Sequence, residues 1–363
     1  MVDTAIAAMA EWAAGGNNAN CDGTFSAADA CDALLEHARS TVAQLVGADP
    51  DGVCFGANMT TLTLAFTRAV AATLALGDRI VGTRLDHDAN VTPWRLACEA
   101  SGAEHVLAPF DPVTGRLDPQ AVVDLIDERT RWVTLPGASN LIGTVPDLAP
   151  VVAAAHDVGA LVFVDAVHLA PHRPIDIQRA GWDVAVTSPY KWYGPHAGVL
   201  CAAAAVLDSL PAARVRPAAE RGPRRWETGT PNFESIAAVE AAARFLLDEG
   251  LEALGAAEAN VFEPLLTGLQ EIAGVRVWGP PSMVDRTPTV AFTVAGRNPD
   301  AVAAELATSR IATWAGHSYA VEVVDQLGLA GSGGVVRAGV VAYIEPDDVT
   351  ALLDAVARIA AAS

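Results

Sequence analysis

The residues best placed for chemistry lie in VTSPYKWYGPHAG, Val186 to Gly198, where Lys191 sits among Tyr190, Trp192 and Tyr193 just after the apolar run WDVAV. A solvated surface lysine does not need that setting. A lysine whose amine must be partly desolvated to act as a nucleophile does. Asp165 ends an earlier apolar run, ALVFV, one helix and one strand before Lys191. A carboxylate there calls for a cap, an ion pair or a charged ligand. His87 in TRLDHDAN, Asn140 in GASNLIG and Ser188 beside Lys191 also follow apolar runs. GANMTT, Gly56 to Thr61, opens an amphipathic stretch, so N–H groups of a helix start are offered either to a capping side chain or to an anion. Each feature alone has an ordinary structural explanation. Together they suit an amine that condenses with an aldehyde, beside a carboxylate, a flat ring and an anion seat.

Such residues act together only if a scaffold carries them to one edge. From about Cys31 to Thr144 the pattern alternates, and further strands and a helix follow in the same manner. VCFGAN, DRIVGTRLDH, EHVLAPF, RWVTLPGASN, ALVFVDAVH and WDVAVTSPY read as strands. DALLEHARSTVAQLVGA, TTLTLAFTRAVAATL, VTPWRLACEASGA, LDPQAVVDLID and DLAPVVAAAHDVG read as helices, with Leu34, Ala38, Val42 and Leu45 of the first on one face. This alternation predicts a mainly parallel sheet with helices on both faces. Ligands of such sheets bind beyond the carboxyl ends of the strands, where the candidate residues fall. After about Gly222 the character changes. The polar GPRRWETGTPN is followed by a long helix, FESIAAVEAAARFLLDEG. Shorter strands (VRVWGP, TVAFTVAG, VVRAGVVAYI) and helices (NPDAVAAELATSR, PDDVTALLDAVARIAAA) complete the chain. The expected division is a large domain over residues 1–240 and a smaller α+β domain over 241–363.

Composition narrows the class. A chain that is 52% hydrophobic and 18% charged builds a sizeable core and is not disordered. A formal net charge of −20 with no basic stripe argues against a nucleic-acid partner. No apolar run reaches the roughly 18 residues of a membrane span. The start, MVDTAIAAMAEW, lacks a basic region followed by an apolar core, so a cytoplasmic location is expected. Cys21, Cys31, Cys54, Cys98 and Cys201 form no CxxC pair and keep no zinc spacing with histidines, which predicts reduced, mostly buried thiols and no structural metal.

The ligand that best fits the set is pyridoxal 5′-phosphate. Lys191 would form the Schiff base, Asp165 would keep the pyridine nitrogen protonated, and a flat side chain would stack on the ring. The helix start would take the phosphate. At this point the chain resembles the class V aminotransferase family over nearly its whole length, in particular the cysteine desulfurase branch of the fold-type I enzymes. The resemblance implies that fold, with a large domain built on a mainly parallel sheet of the seven-stranded type and a smaller C-terminal α+β domain. TRLDHDAN resembles the ring-stacking histidine motif and implies that role for His87. SNLIGTVPDL implies Asn140 near the cofactor's phenolic oxygen, and VDAVHLAPH implies Asp165 at the ring nitrogen. His168 replaces the family's glutamine. SPYKWYGPHAG resembles the lysine motif, with Ser188 on the phosphate and Tyr190 in place of a histidine. GANMTT matches the phosphate turn, through Asn58 and Met59 N–H groups and a hydroxyl of Thr60 or Thr61. ETGTPN implies that Thr230 reaches the phosphate in a neighbouring subunit, hence a homodimer. GGVVRAGVVAY implies that Arg337 clamps a substrate carboxylate, a task suited to a planar fork.

Two departures bear on the activity. In the desulfurases a loop cysteine attacks the substrate sulfur. The corresponding loop here is WAGHSYAVEVV, with Tyr319 at that position and no cysteine beyond Cys201. The resemblance also implies an N-terminal strand and turn ahead of the helix that begins near Val2. The expected reaction is β-elimination of a C–S bond from an amino acid held on Lys191, without a persulfide. Transamination and racemisation or epimerisation are alternatives, and an inactive cofactor-binding subunit is the non-enzymatic one.

Overall fold

The structure is a computed structural model that describes residues 1–16 and 19–362. Seven strands make the large sheet: β1 (Val53–Gly56), β2 (Arg79–Thr83), β3 (Glu104–Ala108), β4 (Thr130–Pro136), β5 (Leu161–Asp165), β6 (Val184–Thr187) and β7 (Gly198–Ala202). Their order is β1-β7-β6-β5-β4-β2-β3, and only β7 runs against its neighbours. β5 shows why both faces are covered. Val162 and Val164 pack with Val151 and Ala155 on one side, whereas Phe163 packs with Phe66, Trp94 and Trp132 on the other. The near-continuous apolar runs in the sequence are therefore strands buried on two faces.

Four strands make the second sheet: β8 (Val275–Trp278), β9 (Thr289–Val294), β10 (Trp314–Gly316) and β11 (Val335–Gly339), in the order β10-β11-β9-β8 and all antiparallel. Helices Leu251–Glu271, Pro299–Thr308 and Pro346–Ala361 cover it around Phe262, Val302, Phe292 and Val356.

Several expectations shift in detail. The sequence pattern singles out no strand at β7, which starts where the Lys191 segment ends. It is a five-residue apolar run after a Gly-Pro turn, too short to show a period. LDPQAVVDLID yields only a short helix, Pro119–Val123. VVRAGVVAYI is a strand only as far as Gly339. The helix Phe233–Glu249 runs unbroken through residue 240, because its apolar face continues against helices Asp3–Ala14 and Ser26–Val46. It ends at Gly250, whose φ of 80° breaks the turn.

Candidate active site

The carboxyl ends of the large sheet's strands converge on one cavity of about 590 Å³. β5 delivers Asp165. β6 runs into a tight turn, Pro189–Lys191, that presents Lys191. β2 leads to His87 and β4 to Asn140. The helix Met59–Ala71 starts at the end of β1, and β11 of the small sheet sends in Arg337. Of the residues singled out in the sequence, Met59, Thr60, His87, Asn140, Asp165, His168, Tyr190, Lys191, Tyr319 and Arg337 line this cavity, whereas Asn58, Ser188 and Thr230 do not. Ser188 is buried behind the Lys191 turn. Thr230 is exposed on a loop held by Glu227, which accepts from Arg39 at 2.7 Å and from the Phe55 N–H at 2.8 Å.

Burial and charge set the protonation states. Burial, and then the positive Arg337, lowers the Lys191 amine from its ordinary value, while Asp165 works the other way. This favours the neutral, nucleophilic amine. Burial pushes Asp165 up to about 6 against the opposing Val167 N–H, which donates to Oδ1 at 2.9 Å, and the nearby Lys191. Burial lowers His87 to about 4, and its Nδ1 accepts the Ala89 N–H at 3.0 Å. His87 is therefore a neutral ring with its proton on Nε2. His168 is likewise held neutral by burial and by its cationic neighbours, with Nε2 at 3.0 Å from the Thr289 hydroxyl. Arg337 donates to the Asn140 carbonyl at 2.9 Å and has no carboxylate partner among the described residues. A cavity-lining guanidinium with no carboxylate paired to it can seat an anion.

The loop that would carry a nucleophile is pinned to this cavity. Asp88 N–H donates to the Tyr319 carbonyl at 2.7 Å, and Asn140 Nδ2 donates to the Ser318 carbonyl at 2.7 Å. Ser318 and Tyr319 both adopt left-handed backbone, with φ of 46° and 61°. The Tyr319 ring stacks on His87 at 5.5 Å. No cysteine lines the cavity. Cys54 and Cys201 are buried in β1 and β7, Cys31 and Cys98 in helices. Burial pushes the thiols of Cys21 and Cys201 up to about 12 and that of Cys98 to about 11, and raises Cys31 and Cys54 as well. These are thiols, not thiolate nucleophiles.

The residues present fit pyridoxal phosphate. Asn58 caps the helix start by accepting the Thr61 N–H at 2.9 Å, and Thr61 donates its hydroxyl to the Asn58 carbonyl at 2.9 Å. The Met59 and Thr60 N–H groups and the Thr60 hydroxyl are left for an anion, the last touching only the Met59 sulfur at 3.6 Å. Asn140 Oδ1, on a cavity-lining residue, is buried with no partner, as a side chain awaiting a polar ligand would be; Ser188 Oγ is also unpartnered, behind the Lys191 turn. Asp165 keeps one oxygen without a protein donor.

Sequence reasoning missed several contributors. Asp86, 1% exposed, braces the turn before His87 by accepting from Thr83 Oγ1 at 2.5 Å and Asn90 Nδ2 at 2.7 Å. Trp314 and Ser318 line the cavity from the Tyr319 loop, and Thr289 backs His168. The first three stand inside stretches already singled out, but their roles depend on contacts between distant segments.

The aminotransferase class-V family model matches residues 2–352. An uncharacterized protein of Mycobacterium tuberculosis is 33% identical, over 94% of this chain and 89% of its own length. A probable cysteine desulfurase of Mycobacterium leprae is 31% identical, over 91% of this chain and 82% of its own. The crystal structure of the cysteine desulfurase CsdA from Escherichia coli superposes with a TM-score of 0.88 at 27% identity, covering 98% of this chain and 91% of that one. The fold of the Thermococcus onnurineus cysteine desulfurase, at 24% identity, agrees with a TM-score of 0.91, covering 99% and 92%. The strand order, the lysine turn after β6 and a match that runs almost end to end have one meaning: this chain belongs to the aminotransferase class-V family of pyridoxal-phosphate-dependent enzymes, among its cysteine desulfurase-like members.

Proposed function

We propose that the protein is a homodimeric C–S lyase that removes the β-sulfur of an amino acid by elimination and uses no protein persulfide. One observation carries this reading. The cavity has the full set of Lys191, Asp165 and Arg337, while the loop position that would attack sulfur is Tyr319 and every cysteine lies elsewhere as a buried or raised thiol.

When bound, pyridoxal phosphate supplies an aldehyde for the amine and a ring that draws electrons from Cα. The rest is work for the chain. Met59 and Thr60 N–H groups and the Ser188 and Thr60 hydroxyls would hold the phosphate, Asp165 would keep a proton on the ring nitrogen, and His87 would stack on the ring. Asn140 and His168 would face the phenolic oxygen. Arg337 binds the substrate carboxylate in its fork. Lys191, its neutral amine favoured by burial, would take the Cα proton as general base. The Cα–H electron pair forms the new Cα–Cβ double bond, and the sulfur leaves with the Cβ–S pair. The Tyr319 hydroxyl, on a ring that lines the cavity, would protonate it. With cysteine the products after hydrolysis are pyruvate, ammonia and sulfide, and no oxidant or reductant is needed.

The test is to incubate the loaded enzyme with cysteine, cystine and non-sulfur amino acids and to quantify pyruvate, ammonia and sulfide, with intact-mass analysis of the protein. Pyruvate and ammonia in equal amounts, with no sulfur added to the chain, are expected. Alanine formed together with a persulfide on any cysteine would return the chain to the desulfurases. A 2-oxo acid formed only when an amino acceptor is present would make it a transaminase.

A further inference from the structure

Glu258 is the one carboxylate of helix Leu251–Glu271 that is fully buried, with its side chain 0% exposed. Such a group is tolerated only when its oxygens are satisfied. One oxygen lies 2.7 Å from His172 Nδ1, and the other accepts from the Tyr193 hydroxyl at 3.3 Å. That hydroxyl in turn accepts the Ala342 N–H at 3.2 Å. Gly255, one turn earlier on the same face of the helix, lets the backbone of His172 come close: a Cβ there would stand 2.6 Å from the His172 carbonyl oxygen. The helix is thus shaped to dock on His172 and to grip its ring.

Both partners of Glu258 belong to segments of the cofactor cavity. Tyr193 follows Lys191 by two residues and holds a left-handed φ of 69°, which costs energy for a residue with a Cβ and persists only where surrounding contacts impose it. The His172 ring meets His168 edge-on at 5.6 Å. We propose that Glu258 is a positioning residue for the cofactor site: one buried carboxylate, carried by the small domain, that fixes the Lys191 turn through Tyr193 and the His168 segment through His172. It touches no reacting atom. This rests on the reading of Lys191 and His168 as cofactor-site residues.

The test is amide hydrogen exchange and visible circular dichroism of the full chain loaded with pyridoxal phosphate, comparing Tyr193→Phe and Glu258→Gln with the parent. Tyr193→Phe should speed exchange about tenfold in residues 188–194 alone, and Glu258→Gln should do so there and in residues 166–173, with β5 and β9 unchanged. The dichroism of the bound cofactor should weaken in both variants while its absorbance remains. Exchange at parental rates in both segments of Glu258→Gln, or a rise spread evenly over the chain, would overturn the proposal. If Glu258→Gln does not fold, Tyr193→Phe decides: a local rise supports the proposal, and none overturns it. If the chain takes up no pyridoxal phosphate, the proposed function fails, whereas exchange of the unloaded chain still reports whether Glu258 holds both segments.

Discussion

Asp165 shows how a single buried carboxyl can cost stability in the unloaded protein. Its carboxyl is raised to about 6 by burial, so above that pH the unloaded protein carries a charge it holds less comfortably than the unfolded chain does. The sign follows. The contribution of the neutral carboxyl is complete below the ordinary value of 3.8 and is lost as pH rises through about 6. Asp165→Asn has nothing to lose in that window, and its amide oxygen can still accept the Val167 N–H. We predict that the unloaded variant is more stable than the parent at pH 7 by up to about 3 kcal/mol, a gap that closes towards pH 4. Denaturant unfolding across pH measures it. Cofactor should reverse the order, because the ring nitrogen's proton gives the carboxylate the partner it lacks. Equal stability of the two unloaded proteins at pH 7 would show that another group already compensates the charge. Asp165 was legible in the sequence because a carboxylate that ends VFV demands a reason. Glu258 was not. In LEALGAAEANVFEPLL it looks like Glu252 and Glu263, and only the docking of that helix turns it inward.

At the scale of elements, the site depends on how closely β7 approaches the turn that starts the helix Met59–Ala71. Gly198 pairs with Gly56 across β1 and β7. A Cβ on Gly198 would press into the Asn58 carbonyl group and stand 2.7 Å from the Met59 nitrogen. The neighbouring backbone, not a flexible side chain, fills that space, so Gly198→Ala must shift the anion turn or the strand. The expected outcome is a folded protein that binds pyridoxal phosphate at least about tenfold more weakly, since the phosphate loses aligned N–H donors. Absorbance titration of the unloaded variant measures this. Parental affinity would mean that the turn contributes little to the phosphate seat. Such close approaches are what the sequence concealed. The β-branched and aromatic runs made six strands of the large sheet readable, because burial on two faces leaves a compositional mark. GVLCA carries the same mark over only five residues, behind a Gly-Pro turn, so β7 and its reversed direction emerge only from the folded chain. The pinned loop from Gly316 to Ala320 was readable as the place where a cysteine is replaced. The left-handed Ser318 and Tyr319, which aim the ring at His87, were not.

At the scale of the whole molecule, the cavity of one chain leaves Thr230 outside it, on a loop anchored at Glu227 by its pair with Arg39, the two side chains being 8% and 9% exposed. An anchored loop that presents an exposed threonine suits the proposed homodimer, in which Thr230 of each subunit completes the phosphate seat of the other. Symmetry then makes a sharp prediction. Lys191→Ala should be inactive, lacking the proposed nucleophile, and Thr230→Ala should bind cofactor weakly, each site lacking its borrowed hydroxyl. In a mixed dimer the Lys191 of the Thr230→Ala subunit faces the intact Thr230 of the Lys191→Ala subunit, so one complete site is rebuilt. Mixing the two variants under conditions that allow subunit exchange should therefore restore turnover at low cofactor concentration, where neither variant alone works. With a formal net charge of −20 on each chain, the subunits repel at long range, so exchange should be faster and assembly weaker at low ionic strength. If Thr230→Ala binds the cofactor as tightly as the parent, or if mixing restores nothing although light scattering shows dimers, Thr230 does not cross between subunits and the phosphate is held by one chain alone.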